Sequence, residues 1–397
     1  MGATASDRGL CIDDVFRQNA RVVPDRPAAG LGDAVLTHRE LDALANRTAR
    51  ALAAAGVRHG DRIVTWAETH LAQVPLFAAA AKLGAVFAPV NARLGPAEAT
   101  EVARLARPRL VVVDAGRAEH GAAFASETGA ELAHLGDGVA GLDLSPRALP
   151  AAADDVFEPA LRESDPHVIF FTSGSTGRAK GVVLSHRVSW LRSFQGVFHD
   201  EPRRTVCMFP MFHMAPWTLA LAAWQTRGEI HFVESAAADV LLAAIEARRA
   251  SHFYGIPLVW ARMLEADLSR WELGSLRELD TGTSAVPPEV IEALRERFPR
   301  CTLRVYYGST EAGTVAALSH ADVLRKPGSV GLAPPGAELR VADDGEVLAR
   351  SPYLFDAYFD DPDATGAALV DGWFHTGDLG ALDDEGYLTI VGRKKEV

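Results

Sequence analysis

The chain has 397 residues, a formal net charge of −12, 48% hydrophobic residues and 23% charged ones. That length is too great for one ordinary core and calls for two or three packed subdomains of a soluble globular protein. The acidic balance argues against a nucleic-acid partner, which needs basic stripes. Three widely spaced cysteines, Cys11, Cys207 and Cys301, offer neither a disulfide framework nor a metal-binding spacing, so a reducing, cytoplasmic setting is expected. Met1 to Asp14 lacks the basic start and apolar core of a signal peptide. The uncharged run Leu71–Ala81 is too short to span a bilayer, so no membrane insertion is expected.

In chain order, Leu36, Leu41, Leu44, Ala45, Thr48, Ala49 and Leu52 recur at helical spacing, which predicts a helix over 36–56 with Gly56 as its stop. Asp61–Trp66 reads as a strand, Leu71–Leu83 as a helix and Ala85–Pro89 as a strand. A further helix precedes the strand Leu110–Asp114. This alternation is that of a mostly parallel sheet covered by helices. Asp137–Glu163, rich in Ala, Pro, Asp and Gly, marks an internal boundary.

Val168–Phe171 and Val182–Leu184 read as buried strands, and between them runs the most informative stretch of the chain, Thr172-Ser173-Gly174-Ser175-Thr176-Gly177-Arg178-Ala179-Lys180-Gly181. Glycines let backbone N–H groups approach an anion closely. The hydroxyls of Thr172, Ser173, Ser175 and Thr176 add donors, and Lys180, one of only five lysines, adds a flexible positive charge. The stretch reads as a phosphate cradle. It is not a Walker A loop, because Arg178 and Ala179 separate Gly177 from Lys180, and no G-x-G-x-x-G pattern fits.

Beyond it the alternation resumes with a helix over 187–197, a strand over 205–209, a helix over 215–226, a strand over 229–233 and a helix over 238–250. Phe253-Tyr254, the run Thr281–Ala285, a helix over 288–297 and the strand Leu303–Tyr306 follow. From about residue 328 the segments become short and are broken by Gly, Pro and Asp, which reads as a small β-rich unit.

Five segments carry a resemblance when taken in order: the phosphate loop, Pro210–Trp217, Tyr306–Gly313, Asp371–Asp378 and Gly392–Glu396. Together with Arg325–Gly331 and Gly345-Glu346-Val347, they resemble the adenylate-forming superfamily of acyl-CoA synthetases, aryl-CoA ligases, luciferases and carrier-protein adenylation domains. The resemblance runs from about residue 12 to the end of the chain. It implies an α/β fold: a large AMP-binding N-terminal domain over 1–391. Two parallel, helix-covered β-sheet subdomains, about 12–160 and 161–327, would be followed by a smaller, barrel-like β-rich part over 328–391. Residues 392–397 would be the hinge to a C-terminal lid domain that this sequence does not include. Since the family's lid carries a catalytic lysine, the chain alone is expected to turn over weakly.

The resemblance also implies roles, residue by residue. Thr172, Ser173, Gly174, Ser175, Thr176, Gly177 and Lys180 would hold the β- and γ-phosphates of ATP, and Thr310 the α-phosphate. An acidic residue beside a polyphosphate needs a cation between them, so Glu311 implies Mg²⁺. Tyr307 would stack on adenine, with the Ser284-Ala285 backbone at the ring edge. Asp378, acceptor-only when ionised, would take the ribose hydroxyls with Arg393 beside it. His213 would orient the substrate carboxylate and is grouped with Thr310, Glu311 and Lys180 as catalytic. Trp217, Tyr254, Ile256, Tyr306 and Gly308 would line the acyl pocket, although Trp217 reads equally well as core. The sequence departs from the family's pattern at Thr283-Ser284-Ala285, at Ala179 and at Tyr306, where glycine is frequent. The expected reaction joins a hydrophobic monocarboxylic acid to coenzyme A through an acyl-AMP, at the expense of ATP. The alternatives are loading of an acyl carrier protein, thioesterification of a preformed acyl-AMP, and a non-catalytic nucleotide- or acyl-binding module.

Overall fold

Thr37 decides where the first long helix begins. Its hydroxyl accepts from the Glu40 amide while Glu40 accepts from the Thr37 amide at 2.8 Å, a reciprocal capping box that starts the helix at His38. Leu36, expected within that helix, therefore lies in the strand Ala34–Thr37 that precedes it. The structure is a computed structural model and describes residues 8–136, 141–149, 160–173, 178–194 and 201–396. It divides into two units, one of residues 1–202, 209–234 and 356–361, the other of residues 203–208, 235–355 and 362–397.

The first unit is built on an eight-stranded sheet. Its spatial order is Ala357–Tyr358, Ala179–Ser185, Pro166–Ser173, Val86–Val90, Arg62–Trp66, Leu110–Val113, Glu131–His134 and Leu142–Asp143. From Pro166–Ser173 outward through the last of these the pairs are parallel. Ala179–Ser185 and Ala357–Tyr358 add antiparallel pairs at the other edge. Parallel strands are buried on both faces and so read as unbroken apolar runs such as Leu110–Val113, all four of them buried. Ala99 and Ala103 from the helix Pro96–Leu105, and Phe124 and Ala125 from the helix Ala118–Thr128, pack with Val64, Trp66 and Val113. The helix Gln73–Leu83 is buried at every position, and Gly84 ends it in the left-handed conformation. In the same unit Pro27–Leu31 pairs parallel with Glu229–Phe232 and antiparallel with Ala34–Thr37. The helix Asp13–Val22 adds to the expected elements; Asp13 and Asp14 in its first turn, and Val15, Phe16 and Asn19 on one buried face, made it legible in the sequence.

In the second unit Arg204–Cys207, His252–Tyr254, Glu278–Gly282 and Thr302–Ser309 run parallel, and Gly313–Leu318 closes the set antiparallel. A five-stranded antiparallel sheet follows. In it Glu346–Arg350 lies between Glu338–Val341 and Trp373–Leu382, and the last of these also pairs with Leu369–Val370 and Leu388–Arg393. Val347 and Leu388 of this sheet pack with Ala316 of Gly313–Leu318 into one buried cluster. The α/β class with an appended β-rich part is thus the architecture present. Among the described residues beyond 328 the helix is a single short one, Pro362–Ala368. Several helices are shorter than their apolar periodicity suggests, ending at Ser193 and Ala247.

His167 and His186 stack in the first unit with ring centroids 4.8 Å apart, and both are fully buried. The Ile12 amide donates to His186 Nδ1 at 3.2 Å, and His167 Nδ1 lies 3.1 Å from Ser189 Oγ. Burial pushes the His186 pKa down to about 4 and lowers that of His167 as well. Between that value and the ordinary histidine pKa the unfolded chain binds more protons than the folded one, so stability falls as pH drops through this window. His186 alone should cost about 2 kcal/mol on going from pH 7.5 to pH 5. Urea unfolding at the two pH values should show the loss, and His186→Gln, which can still accept from Ile12, should show a shallower dependence.

Candidate active site

Lys180, the lysine expected to serve phosphate, stands on an arm of the first unit. Strands Pro166–Ser173 and Ala179–Ser185 form a hairpin whose register sets Thr172 opposite Lys180. Gly174, Ser175, Thr176 and Gly177 lie outside the described residues, and Ser173 is described by its backbone alone. The arm is held on its far side by residues 356–359: Asp356 N donates to Val183 O at 3.0 Å, and Phe359 N to Gly181 O at 2.7 Å. The Asp356 carboxylate accepts from the Ser185 amide at 2.6 Å. Gly181 is required here, because a Cβ would lie 2.9 Å from the Ile169 side chain. Lys180 Nζ sits 4.4 Å from the centroid of the Tyr358 ring.

Also in the first unit, His213 is the cap residue of the helix Met214–Gln225 and is solvent-accessible, with its ring 4.5 Å from that of Phe212. Desolvation first, and the charge of Arg93 second, lower its pKa, so it is neutral at pH 7 and offers a hydrogen bond rather than a charge. Of the two expectations for Trp217, the core is the one this structure displays. The side chain is buried, stacks on Phe77 at 4.3 Å and donates from Nε1 to Met211 O at 2.7 Å.

The second unit gathers the adenine and ribose candidates. Tyr307 Oη donates to Asp378 Oδ2, and Arg393 Nε approaches Asp378 Oδ1 at 2.8 Å. Both carboxylate oxygens are thereby oriented, and each keeps lone-pair capacity for a further donor. Burial, and then the bond to Asp378, raise the Tyr307 pKa, so the phenol stays protonated and remains the donor. Asp378 is one of the unit's buried polar residues and follows Gly377, whose φ of +72° sits at a bulge within the strand Trp373–Leu382. Glu346 fixes that bulge. It accepts the Gly377 amide at 3.0 Å, Lys394 Nζ at 2.9 Å and His375 Nδ1 at 3.1 Å. Burial works against its charge, but these donors outweigh it and hold its carboxyl below the usual range. His375 has no role legible in the sequence, and Glu346 stands out there only as part of the family-like run Gly345-Glu346-Val347.

Thr310 and Glu311 occupy the turn between Thr302–Ser309 and Gly313–Leu318, both partly exposed, and Glu311 O accepts from the Phe355 amide at 2.7 Å. Gly308 tolerates no side chain, since a Cβ would meet Gly313 O at 1.9 Å. Ser284 and Ala285 are exposed, just after Thr283, which takes a positive φ of 68° where glycine is the unstrained choice. Among the described residues no three His, Cys, Asp or Glu side chains gather into a metal cage. Glu311 with the Thr310 hydroxyl nonetheless offers oxygen donors of the kind a hard cation takes, and Mg²⁺ commonly uses one or two carboxylates plus substrate phosphates. The donor chemistry fits.

Of the acyl-pocket candidates in this unit, Tyr254 and Tyr306 pack edge to face with centroids 6.2 Å apart, and Ile256 is partly buried at the start of the helix Pro257–Glu265. Beneath Tyr306 lies an ionic network whose members are too far apart along the chain to be paired by local spacing. Arg304 binds Glu278, which also takes Arg203. Arg304 Nε meets Asp280 Oδ1 at 2.8 Å, and Asp280 Oδ2 takes His252 Nε2 at 2.8 Å. Burial opposes the Asp280 charge, but His252 and Arg304 overcome it and depress its pKa strongly.

The sequence matches the family described as AMP-binding enzyme over residues 16–359. It is 31% identical to a feruloyl-CoA synthase of Amycolatopsis over 96% of this chain and 78% of that protein. It is also 31% identical to the indoleacetate–CoA ligase of Aromatoleum aromaticum, over 97% and 79% respectively. The inhibitor-bound N-terminal domain of FACL13 from Mycobacterium tuberculosis superposes with a TM-score of 0.86 at 30% identity, covering 96% of this chain and 99% of that one.

Removing the hub of the bulge at Asp378 should be measurable without any ligand. Glu346→Ala strands the Gly377 amide and should lower stability by about 1–3 kcal/mol in urea unfolding. Glu346→Gln, which keeps an acceptor for that amide, should lose less.

Proposed function

The chain belongs to the AMP-binding enzyme family, and from that premise we propose that it serves ATP-dependent ligation of a hydrophobic monocarboxylic acid to coenzyme A. In the first step a carboxylate oxygen attacks the α-phosphorus of ATP, the bond to pyrophosphate breaks, and acyl-AMP forms. In the second, the thiol sulfur of coenzyme A attacks the acyl carbon, AMP leaves and the thiol proton is lost. A carboxylate oxygen is a poor leaving group, and the phosphate ester made in the first step corrects this. Both reactants of that step are anions, so oriented donors and positive charge are needed. When bound, Mg²⁺ would neutralise phosphate charge, held by Glu311 with Thr310 beside it.

The Tyr307–Asp378–Arg393 cluster is the observation that carries this reading. A carboxylate with both oxygens oriented, next to an aromatic ring, suits a ribose diol and a base. Lys180 supplies charge to the terminal phosphates, Thr310 binds the α-phosphate, and the backbone of Ser284 and Ala285 meets the adenine edge. Neutral His213 orients the substrate carboxylate rather than removing a proton. The buried thiols of Cys11, Cys207 and Cys301 suit a reducing compartment, and we place the protein in the cytoplasm. Asp378→Ala should weaken ATP binding by about 2–4 kcal/mol in calorimetry, because ribose hydroxyls lose a charged acceptor. Wild-type affinity in that variant would remove Asp378 from the ribose site.

On the acyl side, Tyr254, Ile256 and Tyr306 present rings and apolar carbon, and the nearby charges of Arg304, Asp280 and Glu278 are engaged with one another. A second substrate carboxylate would have to be buried unpaired, at a cost of several kcal/mol. Tyr306 also fills volume, which favours medium chains or compact rings. Adenylation tested with acetate, octanoate, palmitate, an aryl acid, malonate and an amino acid should favour octanoate or the aryl acid, with AMP and pyrophosphate as products. Tyr306→Gly should shift preference toward longer or bulkier acids by several-fold per carbon, since each buried CH₂ contributes about 0.8 kcal/mol. Best activity with malonate, an amino acid or acetate would overturn this account of the pocket.

A further inference from the structure

We propose that Tyr358 is a positioning residue for Lys180, holding the ammonium group of the phosphate loop over its ring and ready for the terminal phosphates of ATP. The proposal rests on the reading of Lys180 as a phosphate ligand given above.

Strand Ala357–Tyr358 reaches the phosphate arm from a sequence distance of more than 170 residues and pairs antiparallel with it, Tyr358 opposite Val182. Side chains alternate along a strand, so Lys180 shares a face with Val182 and is the diagonal neighbour of Tyr358. Its Nζ lies 4.4 Å from the ring centroid, well inside the reach of about 6 Å for an attractive ammonium–ring contact. The ring cannot follow the lysine away. Tyr358 is only 7% exposed, and its backbone neighbours are tied to the arm through Asp356 N to Val183 O and Phe359 N to Gly181 O.

The kind of partner matters as much as the distance. Lys82, Lys326 and Lys394 each bind a carboxylate at 2.6–2.9 Å. A lysine locked on a carboxylate would have to break an ion pair before it could serve a phosphate. An uncharged ring restrains the four-carbon stem, whose freedom is otherwise lost when ligand binds, and yields to the stronger charge of a polyphosphate. Tyr358 thus suits a lysine that must be ordered yet available.

The test uses the 397-residue chain with Tyr358→Leu, Tyr358→Phe and Lys180→Met, reading calorimetric affinities for MgATP and for AMP, which lacks the terminal phosphates. Tyr358→Leu should bind MgATP roughly three- to tenfold more weakly and AMP as well as the wild type does. Tyr358→Phe, which keeps the ring, should stay within about twofold for both. In NMR, the ring-shifted ε-methylene signal of Lys180, assigned among five lysines through Lys180→Met, should persist in Tyr358→Phe and vanish in Tyr358→Leu. The proposal is overturned if Tyr358→Leu binds MgATP normally, if it loses AMP affinity in the same proportion, or if Tyr358→Phe fails as Tyr358→Leu does. Lys180→Met separates the two readings. Unchanged MgATP affinity there would remove Lys180 from the phosphate site and the positioning role with it. Weakened MgATP affinity there, with Tyr358→Leu normal, would overturn the positioning role alone.

Discussion

The reversal of strand direction at Pro166–Ser173 governs the first unit. The strands paired in sequence from there, Val86–Val90 through Glu131–His134, are parallel, and the sheet gains its antiparallel edge only where Ala179–Ser185 folds back on Pro166–Ser173. That hairpin makes the lysine's position a matter of register. A slip of one residue would send every side chain of Ala179–Ser185, Lys180 included, to the opposite face. Buried Val182, Val183 and Leu184 resist such a slip by their packing, and the backbone bonds from residues 356–359 resist it by geometry. A segment remote in sequence thereby finishes the arm.

In the second unit, position is fixed by charge. Glu346 gathers an amide, an ammonium and an imidazole around the strand bulge that presents Asp378, and Asp378 in turn is shared by Tyr307 and Arg393. Each donor satisfies an oxygen that would otherwise be partly desolvated without a partner. The Arg203–Glu278–Arg304–Asp280–His252 network does the same beneath Tyr306. Buried ion pairs of this kind add little net stability compared with apolar packing, while loss of one member leaves a stranded charge. Their effect is to hold one arrangement of neighbouring strands, Glu278–Gly282 beside Thr302–Ser309, on which Tyr306 sits.

Much of this was open to reading in the residues alone. Unbroken apolar runs such as Leu110–Val113 and the helix at 73–83 announced a parallel, helix-covered sheet, because burial on both faces leaves no polar alternation. The order of the glycine- and hydroxyl-rich loop, Tyr306–Gly313 and Asp371–Asp378 pointed to the family, since close backbone approach and acceptor-only carboxylates need particular residue types at particular places. Helix ends were less legible. The capping box at Thr37 moved one start past Leu36, and several helices stop before their apolar periodicity does, because end positions depend on local hydrogen bonds.

By itself, then, the sequence determined the class of fold and the family, and it offered residue types suited to phosphate, ribose and carboxylate, each of which follows from local spacing and side-chain chemistry. Only the tertiary structure decided that Trp217 packs as core against Phe77, that Glu346 and His375 secure the strand bulge at Asp378, and that Tyr358 lies over Lys180. Those three are contacts between residues from about 30 to more than 170 positions apart, or, for Trp217, about 140. Local spacing carries no information about such pairs. They exist because strand pairing and burial bring distant segments together.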